Sequence, residues 1–341
     1  MKELTEQAKN NESLGAEEVA AAAAALLSAD FSDEEKADFL DALNRRGETP
    51  AELRAFAAEF LRAAVPFDVP AGIGRVLDVC GTGGDKLGLF NISTAVMFVA
   101  AGAGARVVKH GNRGITSRSG GADVLEALGI PVESPADKQR EMLEVCGACF
   151  LFAPRFHPAF KAVAGARKVL AARGRASIFN MLGPLLNPAR PAYQLTGVFS
   201  ESLVPLYSAV LPGLGRERAW VVHGKVDDGV MDEISTSGPT IISEVVGGKS
   251  ASRDLAAGEL VAAPASLELL KGGDAQANAG ILTRILAGDK GPQRDIVVLN
   301  SAAALIVTGS AADWVEGMAL ASESIDSGAA RRVLETMRAM A

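Results

Sequence analysis

The sequence is poor in the residues that crosslink small secreted proteins or build metal clusters. Its 341 residues include three cysteines and three histidines. Three cysteines are too few for a disulfide framework. Cys146 and Cys149 form a C-x-x-C pair, but there is no second pair, and a tetrahedral zinc site would need ligands from distant parts of the chain. We therefore expect buried, reduced thiols near the strand-like segment CFLFA and a cytoplasmic location.

Aromatic residues and net positive charge are also lacking. Two Trp and two Tyr offer little to a platform on which nucleic-acid bases could stack. The formal net charge of −7 would repel a polyanion. We expect no nucleic-acid partner, and any phosphate ligand must be met by a local cluster of cations.

Long apolar runs are missing as well. The opening MKELTEQAKNNES lacks the apolar core of a signal peptide, and the alanine-rich stretch VAAAAAALLSADF is too short to cross a bilayer. We therefore expect no membrane segment. With 48% apolar residues the chain can bury a large core, and its length favours two domains.

Apolar periodicity divides the chain into a helical part and an α/β part. Residues 1 to about 65 show helical periodicity, and Ser32 and Thr49 are each followed three residues later by a glutamate, as in capping boxes. After the connector PFDVPAGIG, strand-like segments such as RVLDVC, ARVVKHG, AYQLTGVF, RAWVVHG and TIISEVV alternate with helical ones. The pattern predicts a small all-α N-terminal domain, residues 1–70, and a large α/β domain whose central sheet is mainly parallel.

The first candidate site is the loop DVCGTGGDKLGLFNIST, residues 78–94. Gly81, Gly83 and Gly84 would let main-chain N–H groups approach an anion, and a helix starting near Asn91 would offer its positive end. A tight turn that needs positive φ is the alternative interpretation.

A second loop, VVKHGNRGITSRSGGADVLEALG, supplies the local cations. It contains Lys109, His110, Arg113 and Arg118, interleaved with Asn112, Thr116, Ser117 and Ser119. Two such loops would lie side by side at the carboxyl edge of a parallel sheet, where phosphates bind. A solvated loop with scattered charge is the alternative.

A third segment, VVHGKVDDGVMDEIS, is acidic. Its carboxylates are Asp227, Asp228, Asp232 and Glu233. Beside a polyphosphate they would be repelled unless a divalent cation intervened, and Mg²⁺ binds through one or two carboxylates plus phosphate oxygens. The alternative is an acidic hairpin in solvent, and in either case we expect this loop to be exposed.

These segments, in this order, resemble the anthranilate phosphoribosyltransferases, the second enzymes of tryptophan synthesis. The matching motifs are GTGGD, NIST, KHGNR, ADVLEALG, SIFNMLGPLLNP and DEIS, and the similarity continues to RDIVVLNSAAALIVTG and IDSG. The resemblance implies a homodimer with the nucleoside phosphorylase fold. It also implies that helices from about 165–192 join the small domain, which leaves 71–164 and 193–341 to the large one.

The resemblance further implies the reaction and the site. The enzyme would transfer the phosphoribosyl group of phosphoribosyl pyrophosphate, with Mg²⁺, to the amino group of anthranilate. Residues implied for phosphoribosyl pyrophosphate are Gly81, Gly83, Gly84, Asp85, Asn91, Ile92, Ser93, Thr94, Lys109, His110, Gly111, Asn112, Arg113, Ser117 and Gly121. Residues implied for anthranilate are Gly81, Asn112, His157 and Arg167. Residues implied for the metal are Ser93, Asp232 and Glu233.

The chain departs from the usual family pattern at several positions. Lys86 replaces a glycine, Leu89 a hydroxyl residue, and Thr116 and Gly121 each replace a serine. The acidic loop is also longer than usual. Two alternatives share the fold: a pyrimidine nucleoside phosphorylase, which should carry a lysine-histidine-serine lead before the glycine loop, and a non-catalytic nucleic-acid-binding paralogue, which should lack the pair Asp232–Glu233.

Overall fold

The N-terminal region is a bundle of helices. The computed structural model describes residues 1–114, 118–226, 229–256, 258–260 and 264–340. The first helices are α1 (Lys2–Lys9), α2 (Ala16–Leu27), α3 (Asp33–Arg46) and α4 (Pro50–Arg62). Both predicted capping boxes are confirmed: Ser32 Oγ accepts from Glu35 N at 3.2 Å, and Thr49 Oγ1 accepts from Glu52 N at 3.2 Å.

The large domain is built on one mixed sheet. Its strands are β1 (Leu77–Gly81), β2 (Val107–Gly111), β3 (Ala148–Phe152), β4 (Tyr193–Gly197), β5 (Arg218–Val226), β6 (Gly229–Met231), β7 (Thr240–Val246) and β8 (Lys249–Leu255). The order is β3-β2-β1-β4-β5-β7-β8, with β6 also paired to β5. The pairs from β3 to β5 are parallel, whereas β6, β7 and β8 are added antiparallel. The predicted fold class, with a mainly parallel sheet, is confirmed.

Strand β8 escaped the sequence prediction. Its sequence, KSASRDL, is polar, and every side chain except that of Leu255 is exposed. An edge strand with both faces in solvent has no apolar alternation, so the periodicity that revealed the other strands is missing.

Helices connect the strands and cover the sheet. They are α5 (Ile92–Gly102), α6 (Gly121–Ala127), α7 (Ala136–Cys146), α8 (Ala153–Phe156), α9 (Ala164–Ala172), α10 (Phe179–Leu182), α11 (Leu203–Val210), α12 (Ala275–Leu286), α13 (Pro292–Thr308), α14 (Trp314–Asp326) and α15 (Ala329–Ala339). Helix α5 packs against α13 and α15, while α11 contacts both α4 and β5. No helix of the described ranges is long and apolar enough to cross a membrane.

Two hydrophobic cores lie on opposite faces of the sheet. On β5, Trp220 and Val222 belong to the core built with α5 and α13, whereas the alternating Ala219 and Val221 belong to a second core. That second core contains side chains of α2, α3 and α4 together with those of α9, α10 and α11. The boundaries proposed for the two domains stay a prediction.

The connector between the regions is anchored. Val65 N donates to Phe156 O at 2.8 Å, and the buried Phe67 ring meets the Phe156 ring edge-on at a centroid distance of 6.0 Å.

The thiol of Cys149 is buried in β3, and that of Cys146, in the last turn of α7, is half-buried.

Candidate active site

The predicted loops meet at the carboxyl ends of neighbouring strands. The glycine loop follows β1, the cationic loop follows β2, and β2 and β4 flank β1 on its two sides. This edge is where open parallel sheets bind ligands.

The glycine loop contains the turn that its composition predicted. Gly83 and Gly84 have φ of +68° and +90°, values that favour glycine, and Asp85 Oδ1 accepts from Leu87 N at 3.1 Å. The turn also has a second role, because Gly83 N donates to Asp232 Oδ2 at 2.7 Å. The tight-turn interpretation therefore holds without excluding an anion-binding loop.

Asp232 fits into space that two other glycines leave open. A Cβ at Gly81 would collide with the carboxylate of Asp232, and one at Gly197, at the end of β4, would collide with its main chain. The expectation of an exposed acidic loop is wrong for this pair: Asp232 and Glu233 are each half-buried. Because Gly81 and Gly197 have no side chain, the acidic segment can pack directly against the glycine loop.

Three carboxyl groups lie together there and perturb one another. Burial, followed by the charge of Asp232, raises the pKa of Asp85 to about 7. Burial also raises the pKa of Asp232, although the bond from Gly83 N opposes that shift. The pKa of Glu233 is raised well above its usual value by burial and then by Asp232, and Lys109 opposes it. Such a cluster favours binding either protons or a cation.

Lys109 and Ser93 border this cluster. Lys109 is buried, and its ammonium donates to Val79 O and, at 3.0 Å, to Ser93 Oγ. Ser93 main chain in turn bonds Glu233. The hydroxyl of Thr94 is buried and has no hydrogen-bond partner within the described residues, so it is available to a ligand.

The start of α5 is held in place by side chains from two other segments. Asn91 Nδ2 donates to Ser119 O at 3.2 Å, and Asn91 Oδ1 accepts from Asn278 Nδ2 at 2.8 Å. Ile92, the first residue of α5, is buried. These bonds therefore hold the start of α5 in a fixed position against the cationic loop, which carries Ser119.

The cationic loop presents fewer free charges than its sequence suggests. Arg113 pairs with Glu126 at 2.7 Å and Glu133 at 3.0 Å, and its guanidinium lies 4.5 Å from the centroid of the Phe152 ring. Asn112 is exposed beside it. Gly111 packs so closely on Phe150 that a Cβ would lie 2.9 Å from the ring.

Two histidines face each other deeper in the site. The rings of His110 and His157 meet edge-on at a centroid distance of 5.3 Å, and His157 Nε2 bonds Leu186 O at 2.8 Å. Burial, followed by His157, lowers the pKa of His110 to about 3, and burial lowers that of His157. Both rings are therefore neutral near pH 7.

Arg167 lies on α9, in the region of the helical bundle. It is half-buried, with its guanidinium 5.6 Å from the centroid of the Phe179 ring. Burial alone lowers its pKa, with no charged neighbour contributing. An arginine in this state is suited to an anionic ligand.

Departures from the family pattern have local explanations. Lys86 has φ of +58°, so this lysine adopts the left-handed conformation that a glycine would favour. Leu89 packs against the core and forms an antiparallel bridge with Lys271. A Cβ at Gly121 would lie 3.2 Å from the Thr94 hydroxyl, which is where a serine would crowd it.

Some predicted residues lie outside the described ranges. They are Thr116 and Ser117 of the cationic loop and Asp227 and Asp228 of the acidic loop.

A buried polar network behind the loops was missed by sequence reasoning. Asp78 is fully buried on β1, accepts from His110 N at 3.3 Å, and has a raised pKa because of burial. Arg216 Nε donates to Gln194 Oε1 at 2.6 Å, next to the strand that carries Asp78. Only the unusual occurrence of charged residues inside apolar strand segments could have indicated this network.

The carboxylates suit a magnesium ion that is also held by a substrate. Within the described residues, no three His, Cys, Asp or Glu side chains surround a single point as a complete protein metal site would require. Mg²⁺ commonly uses one or two carboxylates and takes its other ligands from phosphate and water. Asp232 and Glu233, with the Ser93 hydroxyl nearby, meet that requirement.

Comparisons with known proteins agree with this geometry. The glycosyl transferase family, helical bundle domain, matches residues 2–64, and the glycosyl transferase family, a/b domain, matches residues 73–331. The anthranilate phosphoribosyltransferase of Methanosphaerula palustris is 47% identical over 299 residues, covering 88% of this chain and 86% of that protein.

Solved structures show the same similarity. The anthranilate phosphoribosyltransferase of Thermus thermophilus has a TM-score of 0.90 and 40% identity, covering 99% of this chain and 98% of the other. The Saccharomyces cerevisiae enzyme in complex with phosphoribosyl pyrophosphate and Mg has a TM-score of 0.84 and 28% identity, covering 95% and 92%. The chain therefore belongs to the anthranilate phosphoribosyltransferase family.

Proposed function

We propose that this protein transfers the 5-phosphoribosyl group of phosphoribosyl pyrophosphate to the amino group of anthranilate. The bond from ribose C1 to pyrophosphate breaks, a bond from C1 to the amine nitrogen forms, and the amine loses a proton. Family membership supports this reaction. Neither a pyrimidine nucleoside phosphorylase nor a non-catalytic paralogue is supported by a comparable observation.

The observation that carries the proposal is the contact between Gly83 N and the Asp232 carboxylate, which are 149 residues apart. This contact supports the proposal because it joins the glycine loop to the acidic pair, a combination that suits a metal pyrophosphate.

Each part of the site has a role in this reaction. The glycine-loop amides, the start of α5 and Lys109 bind and orient phosphate groups, with Ser93 and Thr94 supplying hydroxyls. Asp232 and Glu233 would hold Mg²⁺, which would supply positive charge to balance the charge developing on the departing pyrophosphate. Asp85, which interacts with Asp232, would contact the pyrophosphate and the sugar.

The chemistry requires no strong base. An aromatic amine is neutral near pH 7, so the nucleophile arrives with its lone pair free, and orientation is the main task. Arg167 would bind the anthranilate carboxylate through two parallel N–H donors of its guanidinium. Asn112 and His157 would lie beside the anthranilate ring. Because His157 and His110 are neutral, they do not compete with Arg167 for the carboxylate.

Among the residues implied for phosphoribosyl pyrophosphate, Arg113 is not free to contact a phosphate directly. Its ion pairs with Glu126 and Glu133 would have to open before it could contact a phosphate. We therefore propose that Arg113 stabilises the cationic loop before a ligand binds.

The proposal extends to the assembly. We infer a cytoplasmic homodimer with domains 1–70 plus about 165–192, and 71–164 plus 193–341. Helices α9 and α10 share a core with α2, α3 and α4, which supports placing residues of about 165–192 with the N-terminal helices. Sedimentation velocity of the pure protein tests the dimer.

The test of function is the loss of anthranilate fluorescence. Purified protein should consume anthranilate only when phosphoribosyl pyrophosphate and Mg²⁺ are both present, and should release one pyrophosphate for each anthranilate consumed. Unchanged fluorescence in the complete mixture would refute the proposed reaction.

A further inference from the structure

Helix α3 contacts the start of α9, the helix that carries Arg167. Arg167 lies in the first turn of α9, and the 3₁₀ helix Pro158–Val163 that precedes α9 begins directly after His157. Whatever fixes the junction between these two helices, at residues 162–165, therefore sets the position of both side chains. Helix α3 supplies two unusual contacts at that junction.

The first contact is a buried lysine that has no carboxylate partner among the described residues. Lys36 is 2% exposed, and its ammonium donates to Ser28 O at 2.6 Å and to Ala162 O at 2.8 Å. Burying an ammonium against carbonyl groups is costly, and an apolar side chain would fill the same space with less desolvation. The directional bonds are what an apolar residue could not supply: they join the end of α2 to the start of α9.

The second contact is a close approach that needs glycine. A Cβ at Gly165 would overlap the carboxylate of Asp33, which stands in the first turn of α3. The carboxylate therefore lies directly against the first turn of α9, where free N–H groups favour a negative charge. Lys36 and Asp33 hold the two sides of the junction one helical turn apart on α3.

We propose that Lys36, Asp33 and Gly165 are positioning residues that set the location of Arg167 and so determine recognition of the acceptor's carboxylate. The inference rests on the proposed function, in which Arg167 binds that carboxylate. At the farther end of α9, Leu170 is buried in the core shared with α3 and α4, and the pairs Arg173–Asp38 and Arg175–Asp41, each at 2.7 Å, link that end to α3. Gly165 at the junction, by contrast, lies only two residues before Arg167.

The main test is Lys36→Met, which keeps the length of the side chain and removes its donor. We expect the anthranilate KM to rise about tenfold, equivalent to ~1.4 kcal/mol. The KM for phosphoribosyl pyrophosphate and kcat at saturating anthranilate should stay within about twofold. Lys168→Met, which changes an exposed lysine on α9, is the matched control and should change neither KM.

A double-mutant cycle separates positioning from general damage. In an Arg167→Ala background, Lys36→Met should raise the anthranilate KM no further, because the group that it positions is gone. An equal rise in both backgrounds would overturn the proposal, as would an unchanged KM in the single variant. If the wild type fails to use anthranilate at all, the proposed function fails instead.

A second variant covers the case in which Lys36→Met does not fold. Gly165→Ala should raise the anthranilate KM by crowding Asp33. Adding Asp33→Ala should lower that KM part of the way by making room for the methyl group, while loss of the Asp33 carboxylate keeps it above the wild-type value. Gly280→Ala on α12, where a Cβ meets only Arg284 at 3.8 Å, is the control. Failure of Asp33→Ala to rescue Gly165→Ala in a folded protein would contradict the proposal.

Discussion

Single glycines of the site differ in what a side chain would meet. Gly83 and Gly88 have positive φ and open space around the Cβ position, so a substitution there strains only the backbone. Gly81 and Gly197 have ordinary φ, but a Cβ would collide with Asp232. The same residue type thus serves loop geometry at two positions and the placement of a carboxylate at two others.

This difference predicts the behaviour of Gly81→Ala. The methyl group should displace the Asp232 carboxylate, so the Mg²⁺ concentration for half-maximal activity should rise by about tenfold or more. Magnesium titrations of activity measure this. Gly88→Ala is the control: it should lower stability by about 1–2 kcal/mol and leave the magnesium requirement alone. A normal magnesium requirement in Gly81→Ala would show that Asp232 does not serve the metal.

Arg167 gives a second prediction for a single residue. Arg167→Ala should raise the anthranilate KM by a factor corresponding to about 1.5–3 kcal/mol, the range for a hydrogen bond to a charged group. Arg167→Lys should recover only part of this, because an ammonium keeps the charge but not the two parallel donors. Steady-state kinetics with each substrate varied would decide, and an unchanged anthranilate KM in Arg167→Ala would remove this residue from the acceptor site.

At the level of elements, two capping boxes with one sequence signature differ in burial. Glu35 caps α3 near the surface, whereas Glu52 of α4 is 1% exposed. The carboxylate of Glu52 accepts from Leu14 N at 2.8 Å, from Arg46 Nη2 at 2.5 Å and from Thr49 N at 2.9 Å. Glu52 therefore joins three parts of the bundle, while Glu35 serves one helix end.

Removing these two side chains should have unequal effects. Glu35→Ala should lower the free energy of unfolding only slightly, because Ser32 remains as the N-cap of α3. Glu52→Ala should lower it by about 3–5 kcal/mol, because Arg46 would be left buried and unpaired. Urea unfolding followed by circular dichroism measures both. Equal losses would mean that the bundle relaxes around the missing carboxylate.

For the whole molecule, the cluster of Asp85, Asp232 and Glu233 opposes folding when no cation is bound. The pKa of Asp85 is raised to about 7 from 3.8, so between these pH values the folded protein holds a proton that the unfolded chain releases. Stability contributed by that proton is present at low pH and is lost as the pH rises towards and past 7. A bound cation would relieve the same repulsion.

This linkage predicts how stability depends on pH and metal. The melting temperature of the metal-free protein should fall as the pH rises from about 5 to 8, and Asp85→Asn should reduce that fall. Magnesium with pyrophosphate should raise the melting temperature more at pH 8 than at pH 6, since fewer protons then compete. Scanning calorimetry across this range is the measurement, and an identical pH slope in wild type and Asp85→Asn would refute it.

Local pattern was sufficient for much of this protein. The capping pairs Ser32–Glu35 and Thr49–Glu52, the alternation of strands with helices and the glycine loop are all encoded within a few residues. Such features depend on backbone preferences and on one buried face, both of which sequence periodicity records. The order of the motifs along the chain was enough to indicate the family.

Contacts between distant segments were decided only by the tertiary structure. Periodicity cannot show that Asp232 would lie in the space left by Gly81 and Gly197, that Arg113 would pair with Glu126, or that Lys36 would be buried against Ala162. In each case the energy depends on burial and on a partner far away in sequence, so the residue alone gives no sign of it. Strand β8 was missed for the opposite reason, because it buries almost nothing and a pattern of burial is all that periodicity detects.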